Sequence, residues 1–135
     1  MRFVDTNVLL YAISTDPAEQ RKAELAGQIL DEGDVALSVQ VLQEFYVQAT
    51  RTSRPDALTH DQALGLVESF LRFPTQAVDT PILLAACASR DTFGISYWDA
   101  AIIEAARAMA CREVLSEDLS HHQDYHGIRV VNPFG

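Results

Sequence analysis

Four acids define the chemistry to look for: Asp5, Glu44, Asp99 and Asp118, each at or near an element end. Asp5 ends the apolar run Arg2-Phe3-Val4, and Asp118 follows the run Glu113 to Ser116. Both therefore read as acids just past the carboxyl end of a short strand, where open α/β sheets place ligands. Asp99 heads an apolar helix face, because Asp99, Ile102, Ile103, Ala106 and Ala110 follow helical spacing. A carboxylate aimed at a core needs a partner, since burying a lone charge is costly. Lys22 is the chain's only lysine, and no arginine is placed by pattern to reach Asp99. A metal ion is the simplest remaining partner. Two like charges ~4 Å apart repel by about 4 kcal/mol at an effective dielectric of about 20, so four gathered carboxylates call for a cation. Oxygen-only ligands suit Mg²⁺ or Mn²⁺ rather than zinc. Such an ion can activate water and stabilise phosphoryl oxygens during in-line displacement.

Each acid also has an ordinary reading. Asp5 would cap the following helix. Asp99 would complete the capping box Ser96-Tyr97-Trp98-Asp99. Asp118 would be a solvated loop acid, with Glu117 as its equal neighbour, and Glu44 a surface glutamate. What favours a site is that all four fall near one edge of the same expected sheet.

The elements that must position these acids alternate between short strands and helices. Arg2 to Asp5 reads as a buried strand, with Asn7 capping a helix from Val8. Asp16-Pro17 starts a helix through Glu32, and Val35 to Val39 is a strand. Val39 to Thr50 is a helix whose stripe is Val41, Leu42, Phe45 and Ala49, with Glu44 on its flank. Thr52-Ser53-Arg54-Pro55 breaks the pattern, and Thr59 caps a helix to about Phe73. Gln76 to Asp79 is a strand. Thr80-Pro81 opens a helix ending at Gly94, and Ser96 caps another through about Ala110. Glu113 to Ser116 and Ile128 to Val131 are the last strands. The pattern predicts one α/β domain over residues 1–135, a three-layer α/β/α sandwich around a short, mostly parallel sheet.

A net charge of −9 argues against extensive nucleic-acid binding by surface charge. It does not argue against a metal-loaded acidic site, whose ion restores the charge. Apolar residues make up 48% of the chain, which rules against disorder. No apolar run has membrane-span length and the N-terminus lacks a signal peptide, so the expected location is the cytoplasm. Cys87 and Cys111 fall in apolar helical patterns and read as reduced core residues.

The sequence resembles the PIN-domain family, and within it the VapC-type ribonuclease toxins of bacterial toxin–antitoxin pairs. The matching segments begin with Phe3-Val4-Asp5-Thr6-Asn7-Val8-Leu9 and continue with Leu37-Ser38 through Val41-Leu42-Gln43-Glu44-Phe45-Tyr46. They end with Ser96-Tyr97-Trp98-Asp99-Ala100-Ala101-Ile102, Ser116-Glu117-Asp118-Leu119 and Arg129-Val130-Val131-Asn132-Pro133-Phe134. One departure is Ser120-His121-His122, where similar sequences often carry a glycine. The resemblance implies an endoribonuclease dependent on Mg²⁺ or Mn²⁺. Asp5, Glu44, Asp99 and Asp118 would be its catalytic acids, with Asp5, Asp99 and Asp118 as metal ligands. Thr6 would join the site through its hydroxyl, and Asn7 and Ser116 would support it. The implied partners are RNA, a second copy of the chain in a homodimer, and a small antitoxin whose tail covers the site. Arg51 and Arg54, beside the pattern-breaking loop, are candidate RNA contacts. The apolar helix from Thr80 to Phe93 is the expected dimer face.

Other readings are weaker. His122 and His126 have the i, i+4 spacing of a zinc pair, but Gly127 and the coming strand oppose a helix there, so His121, His122 and His126 read as solvated. A receiver domain needs a lysine near its phosphorylated acid, and Lys22 lies mid-helix. A haloacid dehalogenase-type phosphatase wants an acid where Asn7 stands. The alternative of another class is a PIN-like module that binds protein and cleaves nothing.

Overall fold

The computed structural model describes residues 1–120 and 123–135, so His121 and His122 lie outside the described residues. In chain order the elements are β1 (Arg2–Val4), α1 (Thr6–Ala12), a 3₁₀ turn (Pro17–Glu19), α2 (Gln20–Glu32), β2 (Val35–Ser38) and α3 (Val39–Ala49). Then follow α4 (His60–Phe70), β3 (Thr75–Gln76), α5 (Thr80–Phe93), α6 (Tyr97–Ala108), β4 (Glu113–Leu115), β5 (Asp124–Tyr125) and β6 (Ile128–Val131).

The sheet order is β3-β2-β1-β4-β6-β5, parallel except for β5. Phe3 pairs with Ala36 on one side and Val114 on the other, so β1 is central. The chain leaves β1 toward β2 and β3, then returns to build β4 and β6 on the opposite side. A crevice opens at such a reversal, outside the carboxyl ends of the strands. The central strands are apolar on both faces because helices cover both. Phe3, Val4, Val35, Leu37, Val114 and Val130 are fully or almost fully buried. One layer joins α1 to α2 and α3, while α6 packs on β2, β4 and β6 and carries α5 on its back.

Several boundaries move, each for a local reason. Helix α1 starts at Thr6 rather than Val8, because Asp5 and not Asn7 is its N-cap. The first turn of the Ala18–Glu32 helix is 3₁₀, closed by Asp16 accepting the Ala18 N–H (2.9 Å). Helix α4 ends at Phe70, and β3 is two residues long rather than spanning Gln76 to Asp79. Asp79 lies outside β3 and caps α5, which opens at Thr80 as expected, by accepting the Ile82 N–H. Strand β5 has no counterpart in the sequence pattern, since two residues show no alternation. It reaches β6 through His126 and Gly127, both at positive φ (51° and 94°), which suits a two-residue hairpin turn.

Helix α5 is buried along one side only, through Ile82, Ala86 and Ser89. Within one copy α5 packs on α6 and leaves open the other side, the face expected to meet a second copy. Cys87 consequently lies exposed on the outer face of α5, whereas Cys111 is buried, so only one cysteine is a core residue. Among the described residues, no helix is long and apolar enough to cross a membrane.

Candidate active site

The four acids come together at the carboxyl edge of the sheet. Asp5, Glu44, Asp99 and Asp118 all line one cavity of about 280 Å³. Strand β1 delivers Asp5 and α3 delivers Glu44 from its second turn. The first turn of α6 delivers Asp99, and the loop after β4 delivers Asp118.

Asp5 does two jobs at once. It is 7% exposed, and its Oδ1 accepts the Thr6 N–H as the helix cap (2.8 Å). Its Oδ2 accepts from the Ser116 hydroxyl (2.8 Å). Capping and site membership are therefore not alternatives for this residue. Burial raises its pKa from 3.8 to about 6 against the pull of those two hydrogen bonds, and the charges of Glu44 and Asp118 add to the rise.

Thr6 turns its hydroxyl to Glu44 Oε2 (2.8 Å), while Gln40 Nε2 donates to Glu44 Oε1 (3.2 Å). Asn7 organises the opposite wall. Its Nδ2 reaches Ser116 Oγ (3.3 Å) and Asp118 Oδ2 (3.2 Å), and its Oδ1 accepts the Glu117 N–H (3.1 Å). Ser116 Oγ also accepts the N–H groups of Asp118 and Leu119 (3.1 and 3.2 Å). Thr6, Asn7 and Ser116 thus fix Asp5, Glu44 and Asp118 relative to one another.

Asp99 is half-buried. Its N–H donates to the Ser96 hydroxyl (3.1 Å), so Ser96 caps the helix as its sequence position suggests. The carboxyl pKa is raised, first by burial and then by the charges of Asp118 and Glu44, with Ser96 opposing. The Ser96 cap uses the backbone N–H of Asp99, and the Asp99 carboxyl lines the cavity.

The choice between Glu117 and Asp118 is made by a distant residue. Lys22, from α2, pairs with both Glu117 oxygens (2.9 and 3.1 Å), and the Tyr11 hydroxyl donates to Glu117 Oε1 (2.9 Å). Glu117 is spoken for, and Asp118 lines the cavity. Of the two arginines, Arg54 lines the cavity, with its Nε 2.8 Å from Asp56 Oδ1. Arg51 is exposed and does not line it. His126 lies in the β5–β6 turn against Phe93, away from this cavity. Residues missed by the sequence reading include Gln40, Gln48, Tyr11 and Trp98 on or beside the wall. Gln40 had one signal available, its position one helical turn before Glu44.

A family model described as "PIN domain" matches residues 2–123. The chain belongs to the PIN domain family. Among curated proteins, none matches it significantly. Solved structures share its fold at low identity. A toxin–antitoxin complex from Klebsiella pneumoniae matches at 21% identity and TM-score 0.71, over 99% of this chain and 98% of that one. DNA-bound VapBC from Salmonella typhimurium matches at 21% identity and TM-score 0.65, over 96% and 95%. VapC20 from Mycobacterium tuberculosis, a sarcin–ricin loop cleaving toxin, matches at 16% identity and TM-score 0.65, over 87% and 90%. These likenesses establish the PIN fold with its mostly parallel sheet between helices.

The donor set of this PIN chain fits a hard divalent cation by its chemistry. It is made of carboxylate and hydroxyl oxygens, and burial, followed by the charges of Asp118 and Glu44, pushes up the pKa values of both Asp5 and Asp99. The one positively charged residue described on the wall is paired with Asp56. Among the described residues, no three His, Cys, Asp or Glu side chains are already drawn together to hold an ion. The acids surround the cavity rather than converge on one point.

Proposed function

We propose that this PIN domain, acting as one unit over residues 1–135, is a metal-dependent endoribonuclease and the toxin of a toxin–antitoxin pair. One observation carries the reading: Asp5, Glu44, Asp99 and Asp118 of a PIN fold line one cavity, with Glu19 also on its wall, and burial together with the charges of Glu44 and Asp118 raises the pKa values of Asp5 and Asp99. Asp5, Asp99 and Asp118 would hold Mg²⁺ or Mn²⁺. The ion, when bound, would polarise a phosphodiester and lower the pKa of an attacking water. Glu44, oriented by Thr6 and Gln40, would accept that water's proton. Asn7 and Ser116 would keep Asp5 and Asp118 in register. Arg54 would hold a neighbouring phosphate.

The structural neighbours described as toxin–antitoxin complexes support a small antitoxin as the partner that restrains this activity in the cytoplasm. Purified protein should cleave RNA with Mg²⁺ or Mn²⁺ and stop in chelator. Its expression should arrest growth, and co-expressing its cognate small antitoxin should relieve the arrest. RNA left intact under every metal condition would leave the other reading, a PIN-like interaction module.

A homodimer is part of the same proposal. Leu83 and Leu84 on the outer face of α5 are 46% and 64% exposed, and Val78 just before it is 57% exposed. Large apolar side chains left exposed along one helix support an interaction surface there. The mass in solution at micromolar concentration should be twice that of the chain, and Leu84→Glu should halve it. A wild-type monomer would reject the dimer.

A further inference from the structure

The four acids account for the reacting phosphate, and on the described wall Arg54 is the one cation left to hold the rest of a nucleic-acid strand. A net charge of −9 offers few phosphate contacts, and Arg54 already faces Asp56. Trp98 lies on the wall of the same cavity, one residue before Asp99. It is the chain's only tryptophan and is 64% exposed. It is also held in place. The buried Gln40 donates from Nε2 both to the Trp98 carbonyl (3.2 Å) and to Glu44 Oε1 (3.2 Å). Tyr97 packs edge-on against the indole, centroids 5.0 Å apart at 82°. The Trp98 backbone is thus tied through the Gln40 side chain to Glu44 and along the chain to Asp99, while Tyr97 braces the indole.

We propose that Trp98 is a stacking platform for a nucleobase next to the phosphate presented to the four acids. This rests on the ribonuclease reading and deepens it by assigning a base-binding subsite. Every base has a π-face, so a stack grips single strands without reading their sequence. It also releases no counterions, which suits an acidic protein that cannot rely on phosphate neutralisation.

The single tryptophan makes its own probe. Trp98 fluorescence is followed in Mg²⁺ as a short 2′-O-methyl single strand is added, and strand integrity is checked afterwards. An abasic strand of the same length and charge is the control. The base-bearing strand should quench the emission and the abasic strand should not. Trp98→Ala should raise KM for RNA about tenfold to a hundredfold, far more than it lowers kcat. Trp98→Phe, which keeps an aromatic face, should recover most of the loss. Arg54→Ala should weaken both strands alike and flatten the salt dependence by about one contact. Equal quenching by both strands, or an unchanged KM in Trp98→Ala beside normal cleavage, would overturn the stack alone. So would an emission shift on diluting the protein without RNA, because Trp98 would then belong to a contact between copies. Wild type that neither binds nor cleaves RNA would remove the ribonuclease reading and the stack together.

Discussion

Asp99→Asn should lower RNA cleavage by orders of magnitude without weakening the fold. The residue half-buries a carboxyl whose pKa is pushed up by burial and by the charges of Asp118 and Glu44. Asparagine keeps the shape and the backbone N–H that Ser96 accepts, so the helix cap survives. It removes one negative charge from a self-repelling group. In chelator the variant should therefore melt at or above the wild-type temperature. In Mg²⁺ wild type should gain stability by mass action, and the variant should gain less, having lost a ligand. If capping were the acid's whole role, the substitution would instead cost about 1 kcal/mol at most, equally in both conditions, with cleavage largely intact. Paired thermal melts beside a cleavage rate distinguish the two. An active variant with the wild-type response to Mg²⁺ would take Asp99 out of the site.

In chelator, the protein should lose stability as pH rises from about 4 to about 6, with Asp5 as the main source. Its pKa is about 6 in the folded chain against 3.8 ordinarily. The folded state thus holds this proton more tightly than the unfolded state does. Between those two values the native chain binds more protons, so stability falls with rising pH and levels off above about 6. At about 1.4 kcal/mol per pH unit, ionising buried Asp5 costs on the order of 3 kcal/mol. Asp99, raised for the same reason, adds to the fall in the same direction. The Asp5→Asn variant cannot titrate there, so the stability difference between wild type and variant should trace the Asp5 contribution across the series. Adding Mg²⁺ should shrink the fall, because a cation favours the ionised carboxylate. Urea midpoints at several pH values, with and without Mg²⁺, measure this. A wild-type stability that rose relative to Asp5→Asn over the same range would mean that Asp5 is held by a positive partner rather than raised by burial beside other acids.

Much of this site is legible in one dimension because its parts obey local rules. An apolar run ending at Asp5, a helical stripe flanked by Glu44, a cap at Ser96 three residues before Asp99, and an acid after the Glu113 run each need only a few neighbouring residues to be recognised. The alternation of those elements was enough for a parallel sheet, and a parallel sheet brings strand ends to one edge. The same local rules misplaced the start of α1, because Asp5 and Asn7 are equally good caps by residue type. The choice between them depends on Ser116 and Glu117, which engage both residues from more than a hundred positions away.

What remained for the tertiary structure were choices between chemically equal neighbours and the partners of long side chains. Glu117 and Asp118 are indistinguishable by spacing; Lys22 and Tyr11, brought across from α2 and α1, claim the first and leave the second to the cavity. Arg51 and Arg54 look alike in sequence, and only the fold puts Arg54 on the wall with Asp56 against it. Gln40 tying Trp98 to Glu44 joins α3 to α6 across 58 positions, and no periodicity encodes such a contact. The apolar character of α5 was plain, but whether a second layer of the same chain covers it depends on how helices stack on the sheet. Here α6 takes the sheet, and α5 keeps Leu83 and Leu84 facing outward. Acid identities and element types were decided by local sequence; which acid faces the cavity, and what each is tied to, was decided by contacts that exist only once distant segments pack.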